Sequence, residues 1–432
     1  MRSKLAPFAV AALMLSTPCA AAVDAGRLDA ALAAAAPRAV ELRHTIHHNP
    51  ELSNRETETA ALVAAELDGL GWEVETGIAH TGVVALLTGG RPGPVVAVRA
   101  DMDALPVTEA SGLEFASTKR TTFLGQEVGV AHACGHDVHV AVGLGVAAVL
   151  AELRDVLPGT VKLIFQPAEE GPPPGERGGA SLMIEEGVLY APRPEAIFAL
   201  HSMPEPVGRV GWTTGASMAA VDQFKIELHG TQAHGAAPEL SVDPIVLGSQ
   251  VVLALQTVAS RSVPPLDPVV VTVGIFRGGE RFNIIPGDVH LEGTVRTYDP
   301  RIRETVMRRM REILDGLTAA AGASYDFDYT SNAPATVNDP ALAARMRPVL
   351  ERAVGAANVD DAKPLLAGED FAYFANEIPG FYFRLGVVAE GTESGGLHTP
   401  TFRADDGAVA VGMRAMTYVV LDYLEGGGPG GG

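Results

Sequence analysis

Cysteine is almost missing from this chain: 432 residues contain two, Cys19 and Cys134. No disulfide framework can hold such a protein together, so its fold has to rest on apolar burial. At 47% hydrophobic residues the chain is long enough for two domains with cores of their own, and it is neither disordered nor fibrous. Positive charge is also in short supply. Thirty-two Lys and Arg face 52 Asp and Glu, a formal charge of −20, which argues against nucleic acid as a partner. Past the N-terminus no uninterrupted apolar run is free of Gly, Pro and charge for long enough to cross a bilayer, so stable membrane insertion is not expected.

The N-terminus is different in kind. Arg2 and Lys4 precede an apolar stretch from Leu5 to Leu15, and small residues follow up to Ala20-Ala21-Ala22, the layout of a secretory signal peptide. Residues 1–22 are therefore expected to be removed, leaving a periplasmic or secreted protein that starts near Val23. The run is too short for a membrane anchor, and Pro18 makes Cys19 a poor lipidation site. Losing Arg2 and Lys4 takes the charge from −20 to −22. Cys134 then remains as the one thiol of an exported protein, a liability unless something holds it. A metal ion would both deprotonate and occupy it.

From about residue 37 to 213, helical stretches alternate with short apolar runs that predict buried strands at 94–99, 161–166 and 196–200, an α/β layer pattern. After Asp137, the spacing of Val138, Val142, Val146, Val149 and Leu150 predicts a helix, with Gly143 and Gly145 as close-packing points and Cys134 and His136 at its N-terminal end. Between 217 and 331 the order changes to strand 222–229, helix 243–261, strand 269–276, strand 287–297, helix 300–322 and strand 324–330. That is the β-α-β-β-α-β order of a ferredoxin-like α+β unit. Helix 339–354, strand 381–388 and helix 404–424 follow. The expected architecture is a discontinuous α/β domain, a mixed sheet flanked by helices over 23–214 and 332–424, with a ferredoxin-like unit inserted at 215–331. A glycine-rich tail at 425–432 reads as a disordered end.

Polar residues collect where the predicted strands end: Asp101 and Asp103 after the first, Glu169 and Glu170 after the second, His201 after the third. In open α/β sheets ligands bind at that edge. Adding Cys134, His136 and His398 gives thiolate, imidazole and carboxylate donors suited to zinc or a similar divalent ion. The set is larger than one tetrahedral ion needs, so either two ions share a ligand or one ion is accompanied by spare acid-base groups. Singly these signals are weak. A cysteine before a helix is usually a small core residue, and paired glutamates are usually solvated, though this pair directly follows Phe165-Gln166-Pro167.

Taken in chain order, Arg99–Pro106, His132-Ala133-Cys134-Gly135-His136-Asp137, Phe165–Glu170, Gly368-Glu369-Asp370-Phe371 and Leu397-His398-Thr399-Pro400 resemble the M20 metallopeptidase family. The likeness is strongest to its amidohydrolase branch of aminoacylases, hippurate hydrolases and auxin-conjugate hydrolases, and it runs from about residue 37 to 424. It implies one or two divalent ions (Zn, Mn, Ni or Co) ligated by Cys134, His136, Glu170, His201 and His398. Glu169 would be the catalytic carboxylate, with Asp103 behind the ligands as a positioning group. The inserted unit would mediate a homodimer, with His234, in Gly230-Thr231-Gln232-Ala233-His234, reaching the active site from the partner subunit. Asn283 and Arg296 resemble residues that contact the substrate carboxylate, and Gly368 would line the substrate site. The implied reaction is hydrolysis of an N-acyl-amino acid or related amide with a free carboxylate. A carboxypeptidase or dipeptidase on the same scaffold is the alternative, and a non-catalytic periplasmic metal- or ligand-binding protein is a third reading.

Overall fold

A computed structural model describes residues 23–426. The expected signal peptide, residues 1–22, and residues 427–432 of the glycine-rich tail lie outside the described residues. The larger part of the chain builds an eight-stranded sheet in the order Glu73–Ile78, Gly82–Thr88, Pro158–Gln166, Arg91–Asp101, Ala196–Pro206, Gly380–Val388, Val210–Trp212, Val359–Asp361. Its four central strands, from Pro158–Gln166 to Gly380–Val388, are mutually parallel. They are apolar on both faces because helices cover both sides.

The helix His136–Glu152 lies against that sheet, with 14 of its 17 residues buried. The two glycines expected to permit close packing do so. A Cβ on Gly143 would stand 3.0 Å from Phe165 Cε1, and one on Gly145 only 2.5 Å from Met413 Sδ of the final helix, Gly407–Glu425.

Between Val210–Trp212 and Val359–Asp361 the chain forms a second sheet, entirely antiparallel, in the order Val270–Gly278, Asp288–Thr297, Ala220–His229, Ser324–Ala333. In chain order the four strands stand 2-3-1-4, the ferredoxin-like arrangement. Helices Pro244–Thr257 and Pro300–Ala321 cover one face and close a separate core around Phe224, Leu247, Val251, Leu291 and Met310. Three helices begin on an Asp-Pro pair. Asp243, Asp299 and Asp339 each accept a backbone N–H of the first turn, and the proline that follows sits where no donor is needed.

Two strands run further toward the site than the sequence expectation. The strand predicted at 94–99 extends to Asp101, and the one predicted at 196–200 runs to Pro206, so His201 sits within a strand opposite Arg384 rather than in the loop after it. Apolar periodicity could not mark these ends, because buried polar residues continue the strands.

Candidate active site

The parallel strands Arg91–Asp101 and Pro158–Gln166 end side by side, with Asp101 opposite Gln166. The Glu169-Glu170 pair and Asp103 follow directly. Asp103 ties them together. Its carboxylate accepts the backbone N–H of Glu169 at 3.1 Å, that of Glu170 at 3.0 Å and the hydroxyl of Ser53 at 2.8 Å. His136, the first residue of its helix, turns Nδ1 to the Asp103 carbonyl at 2.8 Å. Gly135 before it has φ +84°, a left-handed turn that glycine adopts without strain. Asp103 is thus a positioning residue for both glutamates and for one imidazole.

The Cys134 sulfur stands 3.4 Å from His201 Nε2 and 3.3 Å from His398 Nε2. His398 Nε2 is also 3.1 Å from Glu170 Oε1. The His136 and His201 rings are each fixed by the other nitrogen. His201 Nδ1 faces the Ser202 carbonyl at 2.8 Å, which leaves Nε2 as the lone-pair nitrogen toward the sulfur. His139 is different. It accepts the Ser202 N–H on Nε2 at 2.7 Å and therefore gives its Nδ1 proton to Asp101, so both of its nitrogens are spoken for. His139 lies three residues beyond His136 and close to it, yet it serves to place Ser202 and the adjacent His201.

Several trios of donors lie close enough to hold an ion, and two of them share the Cys134 sulfur: Cys134, His136 and His201, and Cys134, Glu170 and His398. The set fits divalent ions on its own evidence. His136 Nε2 is buried with no hydrogen-bond partner, an expense a protein seldom bears without a ligand. Burial first, then Glu170 and Glu169, push the Cys134 thiol well above its ordinary range. A cation is what would make it a thiolate.

Glu169 approaches the His136 ring, 3.7 Å from Nε2, and its other oxygen is 3.4 Å from the Asp370 N–H. Burial, then Glu369 and Glu170, raise its carboxyl well above the usual range. Behind it Arg99, wholly buried, pairs with Asp101 at 2.6 Å, Asp370 at 2.9 Å and Glu369 at 3.0 Å. Sequence reasoning passed over Arg99 and His139 as functional residues. A charged residue inside an otherwise apolar central strand, and a histidine at i+3 from a ligand on one helix face, were the available signals.

The hexapeptide is also anchored from the rear. Asp137 bonds Arg43 at 3.0 Å and His47 at 2.9 Å, and the other His47 nitrogen meets Glu109 at 2.9 Å. Burial pulls His132 down to about 3, so it is a neutral ring.

A cavity of about 710 Å³ opens on this cluster. Cys134, Glu169, Glu170, His201 and His398 line it from the large sheet, together with Gly368, whose lack of a side chain leaves room for Val221. From the inserted sheet comes Arg296. Its guanidinium bonds Thr294 Oγ1 and the Val295 carbonyl, and no carboxylate pairs with it among the described residues. His234 and Asn283 do not line this cavity. His234 lies exposed on the two-stranded ribbon Ala233–His234 with Ile284–Ile285, and Asn283, the residue before the ribbon's second strand, is half-buried with an unpartnered Oδ1.

Comparison with known proteins agrees with this geometry. Residues 97–422 match the family model described as Peptidase family M20/M25/M40. The chain is 39% identical over 371 residues to an N-acetyl-L-cysteine deacetylase of Bacillus subtilis, covering 86% of this chain and 84% of that protein. It is 37% identical over 390 residues to thermostable carboxypeptidase 2 of Saccharolobus solfataricus, covering 89% and 95%. A Bacillus subtilis crystal structure described as a dinuclear metal-binding peptidase from the M20 family superposes with a TM-score of 0.76 at 34% identity, covering 91% of this chain and 99% of the other.

Proposed function

We propose, from the premise that this chain belongs to peptidase family M20/M25/M40 and is a hydrolase, that it cleaves the amide bond of N-acyl-amino acids carrying a free carboxylate. The observation that carries the reading is the Cys134 sulfur between two imidazole nitrogens, with Glu169 beside the donor set and Arg296 in the same cavity. Cys134, His136 and His201 would hold one divalent ion, and Cys134, Glu170 and His398 a second, with zinc, manganese, nickel or cobalt suited to these donors. When bound they polarise the scissile carbonyl and make water easier to deprotonate.

The protein's own groups do the rest. Glu169 takes the proton of the attacking water and returns it to the leaving amine. Asp103 keeps Glu169 and Glu170 in place through their backbone N–H groups. Arg296 holds the substrate carboxylate through two parallel hydrogen bonds. Asn283 and His234 act from the partner subunit of a homodimer, His234 on the developing oxyanion. What supports that assignment is their distance from their own chain's cavity lining and the exposed ribbon at which they lie.

Export is proposed on the signal-like segment. Cleavage before Val23 would turn its N–H, 2.7 Å from Glu425 Oε1, into an ammonium facing a carboxylate. A carboxypeptidase activity is the second reading, favoured by the name of one relative.

The test is a panel of N-acyl-amino acids and dipeptides assayed on metal-loaded protein and after chelation. N-acyl substrates are expected to be cleaved faster than dipeptides, with chelation abolishing turnover and a divalent ion restoring it. Preference for dipeptides would favour the carboxypeptidase, and indifference to chelators would end the metallohydrolase reading.

A further inference from the structure

Asp103 takes the backbone N–H groups of Glu169 and Glu170, and a second buried carboxylate takes the one just before them. Glu56 stands at the start of the helix Thr57–Gly69, more than a hundred positions earlier in the chain, and is wholly buried. Its Oε1 accepts the Ala168 N–H at 2.9 Å and its Oε2 the Thr81 hydroxyl at 2.6 Å. No cation pairs with it among the described residues, whereas Asp101, Asp137 and Glu369 each meet a buried arginine. Burying a carboxyl group without a cation is costly, and no step of the proposed reaction uses this one.

Ala168 is a residue that needs holding. Its φ is +53°, a left-handed conformation that an alanine, with no side-chain oxygen to bond its own backbone, adopts at a cost. It opens the turn 168–171, closed by the Gly171 N–H on the Ala168 carbonyl at 3.3 Å, with Glu169 and Glu170 as the two central residues. Because peptide groups are planar, the two dihedral angles of a residue are set once the planes on either side of it are fixed. Glu56 fixes the plane before Ala168 through its N–H, and Asp103 fixes the plane after it through the Glu169 N–H. Two glycines let the chain pack against this corner. A Cβ on Gly178 would stand 3.2 Å from Ala168 Cβ, and one on Gly179 would stand 3.0 Å from the Ala168 carbonyl oxygen.

We propose that Glu56 is a positioning residue for the Glu169-Glu170 pair and that it acts through Ala168. With Asp103 it clamps that residue from both sides in a conformation an alanine would otherwise leave, and so aims both glutamates at the donor cluster. The inference rests on the amidohydrolase reading for what the glutamates do, and adds to it a residue that touches neither the substrate cavity nor a metal donor. Without Glu56, Ala168 returns to negative φ and the turn carries Glu169 out of line, although Asp103 is intact. A glycine at position 168 has no such preference and makes Glu56 dispensable.

The experiment places Glu56→Ala in the full chain with and without Ala168→Gly, beside Glu56→Gln, and reads two quantities. One is kcat and KM for N-acetyl-alanine on metal-loaded protein, and the other is hydrogen exchange at the Glu169 and Glu170 amides without metal. Glu56→Ala is expected to cost about 10²-fold in kcat, with KM changed by less than about threefold. Both amides should exchange at least about tenfold faster, although their acceptor, Asp103, is unaltered. In the Ala168→Gly background the same substitution is expected to cost less than about tenfold in kcat and to leave the exchange slow. Glu56→Gln keeps an oxygen for the Ala168 N–H and is expected to stay within about fivefold of wild type. Losses that glycine does not repair, a Glu56→Gln protein as impaired as Glu56→Ala, or a Glu56→Ala protein that exchanges and turns over like wild type, overturn the positioning role. If Glu56→Ala does not fold, the double variant decides: folding with slow exchange supports the role, and failure to fold overturns it. A wild type that cleaves no N-acyl-amino acid, with the expected exchange pattern intact, overturns the amidohydrolase reading alone.

Discussion

The large sheet and the inserted sheet treat their polar residues in opposite ways. On the large sheet the polar side chains that hold the proposed ligands in place are buried and bonded: Asp103 holds two backbone amides, His139 is satisfied on both nitrogens, and Arg99 meets three carboxylates. The inserted unit sends only Arg296 of its predicted site residues into the cavity and leaves His234 on an exposed ribbon and Asn283 just before its second strand, next to Phe282, which is 96% exposed. The difference separates two tasks. Chemistry that depends on atomic placement is assigned to a rigid sheet edge, whose parallel strands fix their ends together. The residues proposed to meet a substrate are placed on an element whose packing is its own.

The sharpest way to break this division is to remove the proton carrier while leaving the donor set. Glu169→Gln is expected to keep its metal, measured by elemental analysis, and to lose about 10²–10⁴ in kcat. Retention of substantial turnover would move the base elsewhere. A smaller effect tests the inserted unit. His234→Ala is also expected to be nearly inactive, and mixing it with Glu169→Gln should restore part of the activity through heterodimers that contain one intact site. No recovery despite demonstrated subunit exchange would confine the site to one chain.

The smallest effect concerns the anchor behind the metal donors. Burial lowers the His47 pKa, but Asp137 and Glu109 outweigh it and raise it from 6.5 to about 9. Because the folded value is the higher one, this contribution to stability is complete below pH 6.5 and is lost as pH rises through about 9. It amounts to at most about 3 kcal/mol. Thermal melts across that window should show the loss in wild type and a flatter profile in His47→Gln; parallel profiles would remove His47 from the anchor.

Much of this arrangement was legible because local signals coincide with it. The hexapeptide at 132–137 gives ligands next to a helix start, and Glu169-Glu170 follows a buried strand. The two apolar periods separate the parallel sheet from the ferredoxin-like unit. What stayed hidden depends on residues far apart in the chain. Arg99 finds Glu369 and Asp370 across some 270 positions, and nothing local announces that pairing. His139 resembles a further ligand until the Ser202 N–H is seen to occupy its Nε2. His234 and Asn283 have readable types, but their position relative to the cavity is set by how the inserted sheet is carried.

The central claim is that one thiolate serves both trios, and cobalt titration of a chain beginning at Val23 tests it most directly, since Cys134 is then its one cysteine. The account predicts a thiolate-to-cobalt absorption band that grows as two ions bind per chain, and its absence, with the loss of tight binding, in Cys134→Ser. Two tightly bound ions in Cys134→Ser, or full loading of the unaltered chain without that band, would contradict it.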